Sequence, residues 1–255
     1  MALACSPDDT VYAGTELSAV YRSDDRGETW YPLHPLMTLP SAKRWSFPPR
    51  PETHHVQSIL PSIVRRGRLH VAIEAGALVL SNDDGATWRD RVPSSPKDTH
   101  CLAADSKEPN RLHSAAGDGY FESADDGDTW ERIRDGLEHP YCWSVAVGSR
   151  APATLLLTAS KSAYGAHYRE SACSVVYRRS RSSAWQQVCN GLPRADGSRI
   201  GVVTASRAEP GTFYFSTEGS IYRSADDGVQ WQELRVEWTG GKCGEHAIDI
   251  ALGEE

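Results

Sequence analysis

The chain is poor in the features that mark a membrane, nucleic-acid or nucleotide-binding protein. No stretch approaches the ~18 consecutive apolar residues of a membrane-spanning helix, so no membrane partner is expected. Positive charge is in deficit, with 27 Lys and Arg against 34 Asp and Glu and a formal charge of −7. That balance argues against a nucleic-acid partner, which favours a basic stripe. The six cysteines, Cys5, Cys101, Cys142, Cys173, Cys189 and Cys243, form no C-x-x-C pair or tight cluster. The ligand spacing of a structural zinc site is therefore missing. The opening Met1 to Ser6 lacks the positive flank and the length of a secretory signal, so cytoplasmic residence and reduced, mostly buried thiols are expected. No G-x-S-x-G elbow, H-E-x-x-H helix, phosphate-cradling loop or dinucleotide fingerprint occurs in a supporting context. Asp118-Gly119 reads as a hairpin turn, and Gly240-Gly241-Lys242 as loop punctuation.

What the chain does contain is one eight-residue turn, close to Ser-x-Asp-x-Gly-x-Thr-Trp, written four times. Its copies run from Ser23 through Asp25 and Gly27 to Trp30, from Ser81 through Asp83 and Gly85 to Trp88, from Ser123 through Asp125 and Gly127 to Trp130, and from Ser224 through Asp226 and Gly228 to Trp231. A worn fifth copy, Ser180 to Trp185, lacks the Asp and Gly. Successive tryptophans lie 58, 42, 55 and 46 residues apart, the period of one small sheet in a propeller. Each residue type has a mechanical reason. The hydroxyl and carboxylate can accept backbone N–H bonds within the turn, the Gly supplies a positive φ, and the Trp buries a large ring. The motif resembles the Asp-box, or BNR repeat, of sialidase-like propellers, sortilin-type receptors and photosystem assembly factors. The resemblance implies that the box joins the third and fourth strands of a blade, on the face opposite the binding mouth, with a structural role.

Short apolar runs around each box predict an all-β chain, a β-propeller of four-stranded antiparallel blades (strands a to d) in a single domain over residues 1–255. Blades are expected at about residues 1–40, 55–97, 98–140, 141–193 and 199–238, with a lid loop at 31–55. Residues 247–252 look like one more inner strand. Five blades are favoured, and an incomplete six- or seven-bladed ring is the alternative.

In this geometry the loops leading into strand a and the b–c turns share one end of the blades, and the boxes take the other. Two connections at the first end are long, Tyr31 to His55 and Lys161 to Cys173, and long loops are enriched in function. The first contains Arg44-Trp45-Ser46-Phe47-Pro48-Pro49-Arg50-Pro51-Glu52-Thr53-His54-His55, read as a stiff, extended lid. This segment, with Ala72 to Gly76, Asp98-Thr99-His100 and Tyr141-Cys142-Trp143, is similar to a group of bacterial BNR-repeat proteins often described as glycosyl hydrolase-like. That resemblance brings no established reaction.

The map collects candidate residues at this end. His55, Glu74 and His100 are the catalytic candidates. Arg50, His54, Asp98, Tyr141, Trp143 and His167 are candidates for ligand binding. His54, His55, Glu74 and His100 could hold a divalent metal, the one cofactor these residue types suggest. Ligand recognition is the favoured reading, the ligand being a small molecule, a carbohydrate or a protein segment at the mouth. The alternatives are a hydrolase or lyase at the same mouth, glycoside-acting or metal-assisted, and a protein-assembly scaffold. Sialidase activity is not expected, because no Arg-Ile-Pro segment precedes the first box. A generic glycosidase would need two carboxylates about 5 to 9 Å apart, drawn from Glu74, Asp98, Asp118 and Glu218.

Overall fold

A computed structural model describes residues 2–180 and 183–236. The described chain is almost wholly β, and its strands form five antiparallel sheets in sequence order. The first holds β1 (Ala2–Cys5), β2 (Val11–Gly14), β3 (Val20–Ser23) and β4 (Tyr31–Pro32). The second holds β5 (Val56–Pro61), β6 (Leu69–Ile73) and β7 (Ala77–Ser81). The third holds β8 (Thr99–Ala104), β9 (Leu112–Ala116), β10 (Gly119–Ser123) and β11 (Glu131–Ile133). β12 (Tyr141–Val147), β13 (Thr154–Ser160), β14 (Ser174–Ser180) and β15 (Gln186–Val188) make the fourth. β16 (Val202–Ala205), β17 (Phe213–Thr217), β18 (Ser220–Ser224) and β19 (Gln232–Leu234) make the fifth.

The second sheet departs from the expected four strands. Its outer edge is a single bridge between Leu80 and Arg89, because the next amide, Arg91 N, donates to the Asp90 carboxylate at 2.8 Å instead of to a ladder. The extra inner strand expected at 247–252 lies outside the described residues.

Two compact units divide the chain. The first spans Met1–Ala104 and Glu108–Arg132, and the second Asp105–Lys107 with the described residues from Ile133 on. In the first unit, Tyr12, Val20, Val56, Ile59, Val71, Ile73 and Val79 form one core, and Ala72, Leu102, Leu112, Phe121 and Trp130 another. The second unit packs Ala146, Leu156, Val176, Val203, Phe213 and Phe215 together. β6, β7, β9 and β13 are buried at every residue. Covered on both faces, they read as apolar or small-residue runs, broken by the buried His70 in β6 and His113 in β9, rather than as alternating strands. Each fully buried Leu or Ile among them contributes about 1.5–3 kcal/mol.

The four boxes fold as their residue types dictate. In each, the Ser hydroxyl accepts the Gly N–H at 2.8–3.0 Å and donates to the Asp carboxylate at 2.7–2.8 Å. The Asp in turn accepts the amide four residues on, at 2.8–2.9 Å. The Gly φ values are +95°, +83°, +83° and +81°. The residue before each Gly, Arg26, Asp84, Asp126 or Asp227, is left-handed as well, so the turn carries two such residues and not one. Later boxes rest on the segment after the preceding sheet: Trp88 Nε1 donates to His34 O at 3.0 Å, Trp130 N to Ser94 Oγ at 3.1 Å and Trp231 N to Asn190 O at 3.0 Å. The expectation that every box Trp is buried holds at Trp130 and Trp231, only partly at Trp88, and fails at Trp30. Its indole bonds within its own turn, to Gly27 O, and remains 37% exposed.

Two further expectations are corrected. The segment Arg44 to His55 is not extended, since Arg50 N donates to Phe47 O at 2.7 Å and Thr53 N to Arg50 O at 2.9 Å, two successive turns. The part of the loop before it forms 3-10 turns at Leu36–Thr38 and Pro40–Arg44. They are pulled in by Leu36, Leu39, Ala42 and Trp45, which join the core of the first unit. Of the described cysteines only Cys142 is buried, Cys101 and Cys173 are half-buried, and Cys5 and Cys189 are exposed. Cys243 lies outside the described residues.

Candidate functional site

Antiparallel pairing fixes which residues meet at each blade end. In the second sheet Val56 pairs with Ile73 and Ile73 with Ala77, whereas Leu69 pairs with Ser81. His55 and Glu74 therefore sit at one end of the sheet and the Ser81 to Trp88 box at the other. Glu74 N donates to His55 O at 3.3 Å, which closes this end.

Asp98 and His100 flank Thr99 at the start of β8. The pairing there skips a residue between Thr99 and Cys101, leaving His100 as a bulge. The same irregularity falls between Val56 and Ser58, at Gln57, and between Cys142 and Ser144, at Trp143. Bulges re-aim a side chain out of the regular pleat. Three inner strands thus each turn out their second or third residue near the loop end. No glycine marks these positions, and Gln57 was not a candidate from sequence. Its i, i+2 relation to His55 on one strand is the signal that could have found it.

In the first unit these elements gather an acid–imidazole group. Donor atoms of Glu74, Asp98 and His100 all lie within 4.8 Å of one another. Glu74 and His100 are buried and Asp98 is half-buried. His100 Nε2 lies 3.5 Å from Asp98 Oδ1, which also accepts Ala75 N at 2.7 Å. Ala75 adopts φ +47° to present that amide. Burial works to raise the Asp98 pKa, but the hydrogen bond and charge of His100, with the Ala75 amide, outweigh it and hold the carboxyl below its ordinary value. A Cβ on Gly117 would overlap the Asp98 carboxylate, so the neighbouring turn leaves space for this group and no more.

His55 supports the group from one side. Its Nε2 lies 2.7 Å from Glu74 Oε2 and 3.1 Å from Gln57 Oε1, and Phe47 packs edge-on at 5.0 Å. His54 is engaged elsewhere, with Nδ1 2.8 Å from Ser18 Oγ and its ring edge-on to Trp45 at 5.9 Å. Burial, then the charge of His55, lowers the His54 pKa. Arg50 pairs with Glu16 at 3.1 Å and lies over Phe47 at 5.5 Å, on the exposed side of the lid. Of the four residues offered as metal ligands, Glu74 and His100 are brought together, Asp98 joins them, and His54 does not.

The second unit assembles the aromatic candidates separately. A short helix, α1 (Ala163–His167), starts where Ser162 Oγ accepts Gly165 N at 3.1 Å. It places His167 Nε2 3.0 Å from the Tyr141 hydroxyl and its ring 4.8 Å from Trp143, edge-on. Tyr141 and Trp143 stack at 6.4 Å. Of the other carboxylates, Asp118 accepts Lys97 N at 3.2 Å, and Glu218 lies 3.2 Å from Arg199 and 3.7 Å from Arg169.

Comparison with known proteins agrees with this architecture. The BNR/Asp-box repeat family matches residues 21–32. No curated protein matches the sequence. Among solved structures, an ancestral GH74 enzyme is similar at 15% identity and a TM-score of 0.66, over 93% of this chain and 33% of that one. The GH74 xyloglucanase from Xanthomonas campestris is similar at 18% identity and 0.67, over 92% and 38%. A structure described as YCF48 bound to D1 peptide is similar at 14% and 0.60, over 91% and 65%. The chain thus spans about a third of the length of the GH74 enzymes and just under two thirds of the YCF48 chain. Likeness at these identities defines the fold: a β-propeller with five sheets. Its repeats are of the BNR/Asp-box kind. Among the described residues, no helix is long and apolar enough to cross a membrane.

Proposed function

We propose that this propeller recognises a ligand at the loop end of its second and third sheets, where Glu74, Asp98 and His100 hold a divalent cation that grips it. The observation that carries the reading is the clustering of two carboxylates and one imidazole within 4.8 Å. Oxygen and nitrogen donors in this mixture suit zinc or manganese. The cation would supply a Lewis-acidic point for a ligand carbonyl or carboxylate. A protein segment bearing such a group is the favoured ligand, because similar propellers include a structure described as YCF48 bound to D1 peptide and one of a nidogen/laminin complex.

A second reading, a metal-assisted hydrolase or lyase at the same residues, is favoured by His55, whose 2.7 Å contact with Glu74 couples an imidazole to the ligand carboxylate. A generic glycosidase has less support. Glu74 and Asp98 each bring an oxygen within 4.8 Å of the other and of a His100 nitrogen, whereas a glycosidase pair faces the scissile bond from two sides. That spacing suits a shared cation better than two groups flanking a bond.

Calorimetric titration of the full chain with Zn2+ and with Mn2+ tests the reading. One equivalent should bind, and His100→Gln should weaken binding at least ~tenfold. Absence of saturable binding for both ions would overturn it.

A further inference from the structure

The second unit contains a cavity of about 130 Å3 to which both the fourth and the fifth sheet contribute walls. Its apolar side is built from Val176, Val188, Leu192 and Phe215, which belong to or pack against the core of that unit. Its polar side includes Ser174 and Arg199. No Asp or Glu is among the described residues that line it.

The two polar residues are unusually placed. Arg199 is 8% exposed, and its Nε donates to Glu218 Oε1 at 3.2 Å, while Nη2 is buried without a hydrogen-bond partner. Ser174 Oγ is likewise buried and unpartnered. Leaving such donors unsatisfied costs about 1–3 kcal/mol each, more for a charged group, so two of them beside one cavity call for an acceptor. The walls are fixed in advance. Ser174 N donates to Ala195 O at 3.2 Å and to Ser198 O at 3.1 Å, and Gly197 N to Ala172 O at 2.8 Å, which ties the loop before β16 to the start of β14.

We propose that this cavity binds a small monocarboxylate with a compact apolar body, of about the size of benzoate. The carboxylate would accept from Arg199 and Ser174, and the body would lie against Val176, Val188, Leu192 and Phe215. An apolar protein cavity of about 150 Å3 holds benzene, so the volume of about 130 Å3 here limits the apolar body to a single small ring and leaves the carboxylate to the polar side. Charge agrees with this assignment: Glu218 takes the Nε side of Arg199, but Nη2 keeps an unpartnered N–H and no carboxylate is among the described residues lining the cavity, a setting that favours an anion over its neutral isostere. The site uses none of Glu74, Asp98 or His100 and stands whether or not those residues bind a cation.

The test compares benzoate with benzyl alcohol by calorimetry on the full chain. Benzoate should bind with a dissociation constant on the order of 1 mM or tighter and at least ~tenfold more tightly than the alcohol. Arg199→Met, checked for an intact melting transition, should remove that preference and leave alcohol binding unchanged. If Arg199→Met does not fold, Ser174→Ala, which removes a single hydroxyl, should weaken benzoate by roughly three- to tenfold. Bound benzoate should also slow alkylation of Cys189, an exposed thiol that lines the cavity. Equal affinity for acid and alcohol, or benzoate affinity unchanged by the variant that folds, would overturn the proposal. So would a failure of benzoate to bind at ~10 mM, ten times the expected limit.

Discussion

Glu74 Oε2 and His55 Nε2 lie 2.7 Å apart in a buried contact, while the other ring nitrogen, Nδ1, is buried with no hydrogen-bond partner. Two acceptors, Glu74 and Gln57, face Nε2, so Nε2 carries a proton and donates it to them. Glu74→Ala removes the stronger acceptor and should cost about 1–3 kcal/mol of unfolding free energy. Glu74→Gln keeps an acceptor oxygen and should cost less than half of that. Urea denaturation of the two variants side by side checks the difference.

A buried charge network beneath the third box makes a larger prediction. Asp126 is fully buried and accepts Ser62 Oγ at 2.9–3.0 Å, with Arg68 Nε at 3.4 Å, near enough for charge pairing, and the His70 ring edge at 3.6 Å. Asn tolerates the left-handed backbone found here, φ +57°, so Asp126→Asn isolates the charge. With Arg68 2% exposed at its side chain and still paired with Asp128 at 2.7 Å, the loss should be about 3 kcal/mol, at the lower end for a broken buried pair. Chemical denaturation reads it directly.

Two glycines separate backbone strain from overlap. Gly127 and Gly197 have nearly equal φ values, +83° and +84°. A Cβ at Gly127 would lie 2.5 Å from the His70 ring, and at Gly197 it would meet nothing within 4 Å. Gly197→Ala should therefore cost only the ~1–2 kcal/mol of a left-handed residue, and Gly127→Ala should add the ~1–3 kcal/mol of an overpacked core. Melting temperatures of the pair give the comparison.

Acid should unfold the protein in two stages. The His70 pKa is lowered by burial, so its unfolded chain binds the proton more readily. The contribution of neutral His70 is complete above the unfolded value of about 6.5 and is lost as pH falls below it. Asp128 is held down to about 2, chiefly by its hydrogen bond from Arg68. Its contribution is present above the unfolded value of about 3.9 and is lost as pH falls towards 2. Unfolding free energies at pH 7, 5, 4 and 2.5 should fall across both windows, and His70→Asn should flatten the first and spare the second.

The box turns were legible in sequence because their chemistry is local. Within eight residues the Ser hydroxyl, Asp carboxylate and Gly backbone satisfy one another, so no distant contact has to be guessed. Strand order was legible for the same reason, and with it the shared end of His55, Glu74, Asp98 and His100. The bulges at Gln57, His100 and Trp143 were not, since a skipped pairing depends on the partner strand and leaves no residue-type mark. Pro48, Pro49 and Pro51 suggested an extended lid, yet the chain turns twice between Phe47 and Thr53, and the 3-10 turns before that segment follow from burial of Leu36, Leu39 and Trp45, a tertiary contact invisible to local propensity. Trp30 shows the converse limit. Its box is intact, but burial of the ring depends on what covers it.

In the second sheet His55 and Glu74 lie at one end and the Ser81 to Trp88 box at the other, and under the proposed function only the first of these ends meets the ligand. Asp98→Asn and Asp83→Asn separate the two ends, with Mn2+ affinity and melting temperature measured on both. Asp98→Asn should weaken Mn2+ at least ~tenfold with little change in melting temperature, while Asp83→Asn should lower the melting temperature and leave Mn2+ affinity as it was. Equal loss of both properties in both variants, or Mn2+ binding that depends on Asp83 and not on Asp98, would contradict that separation.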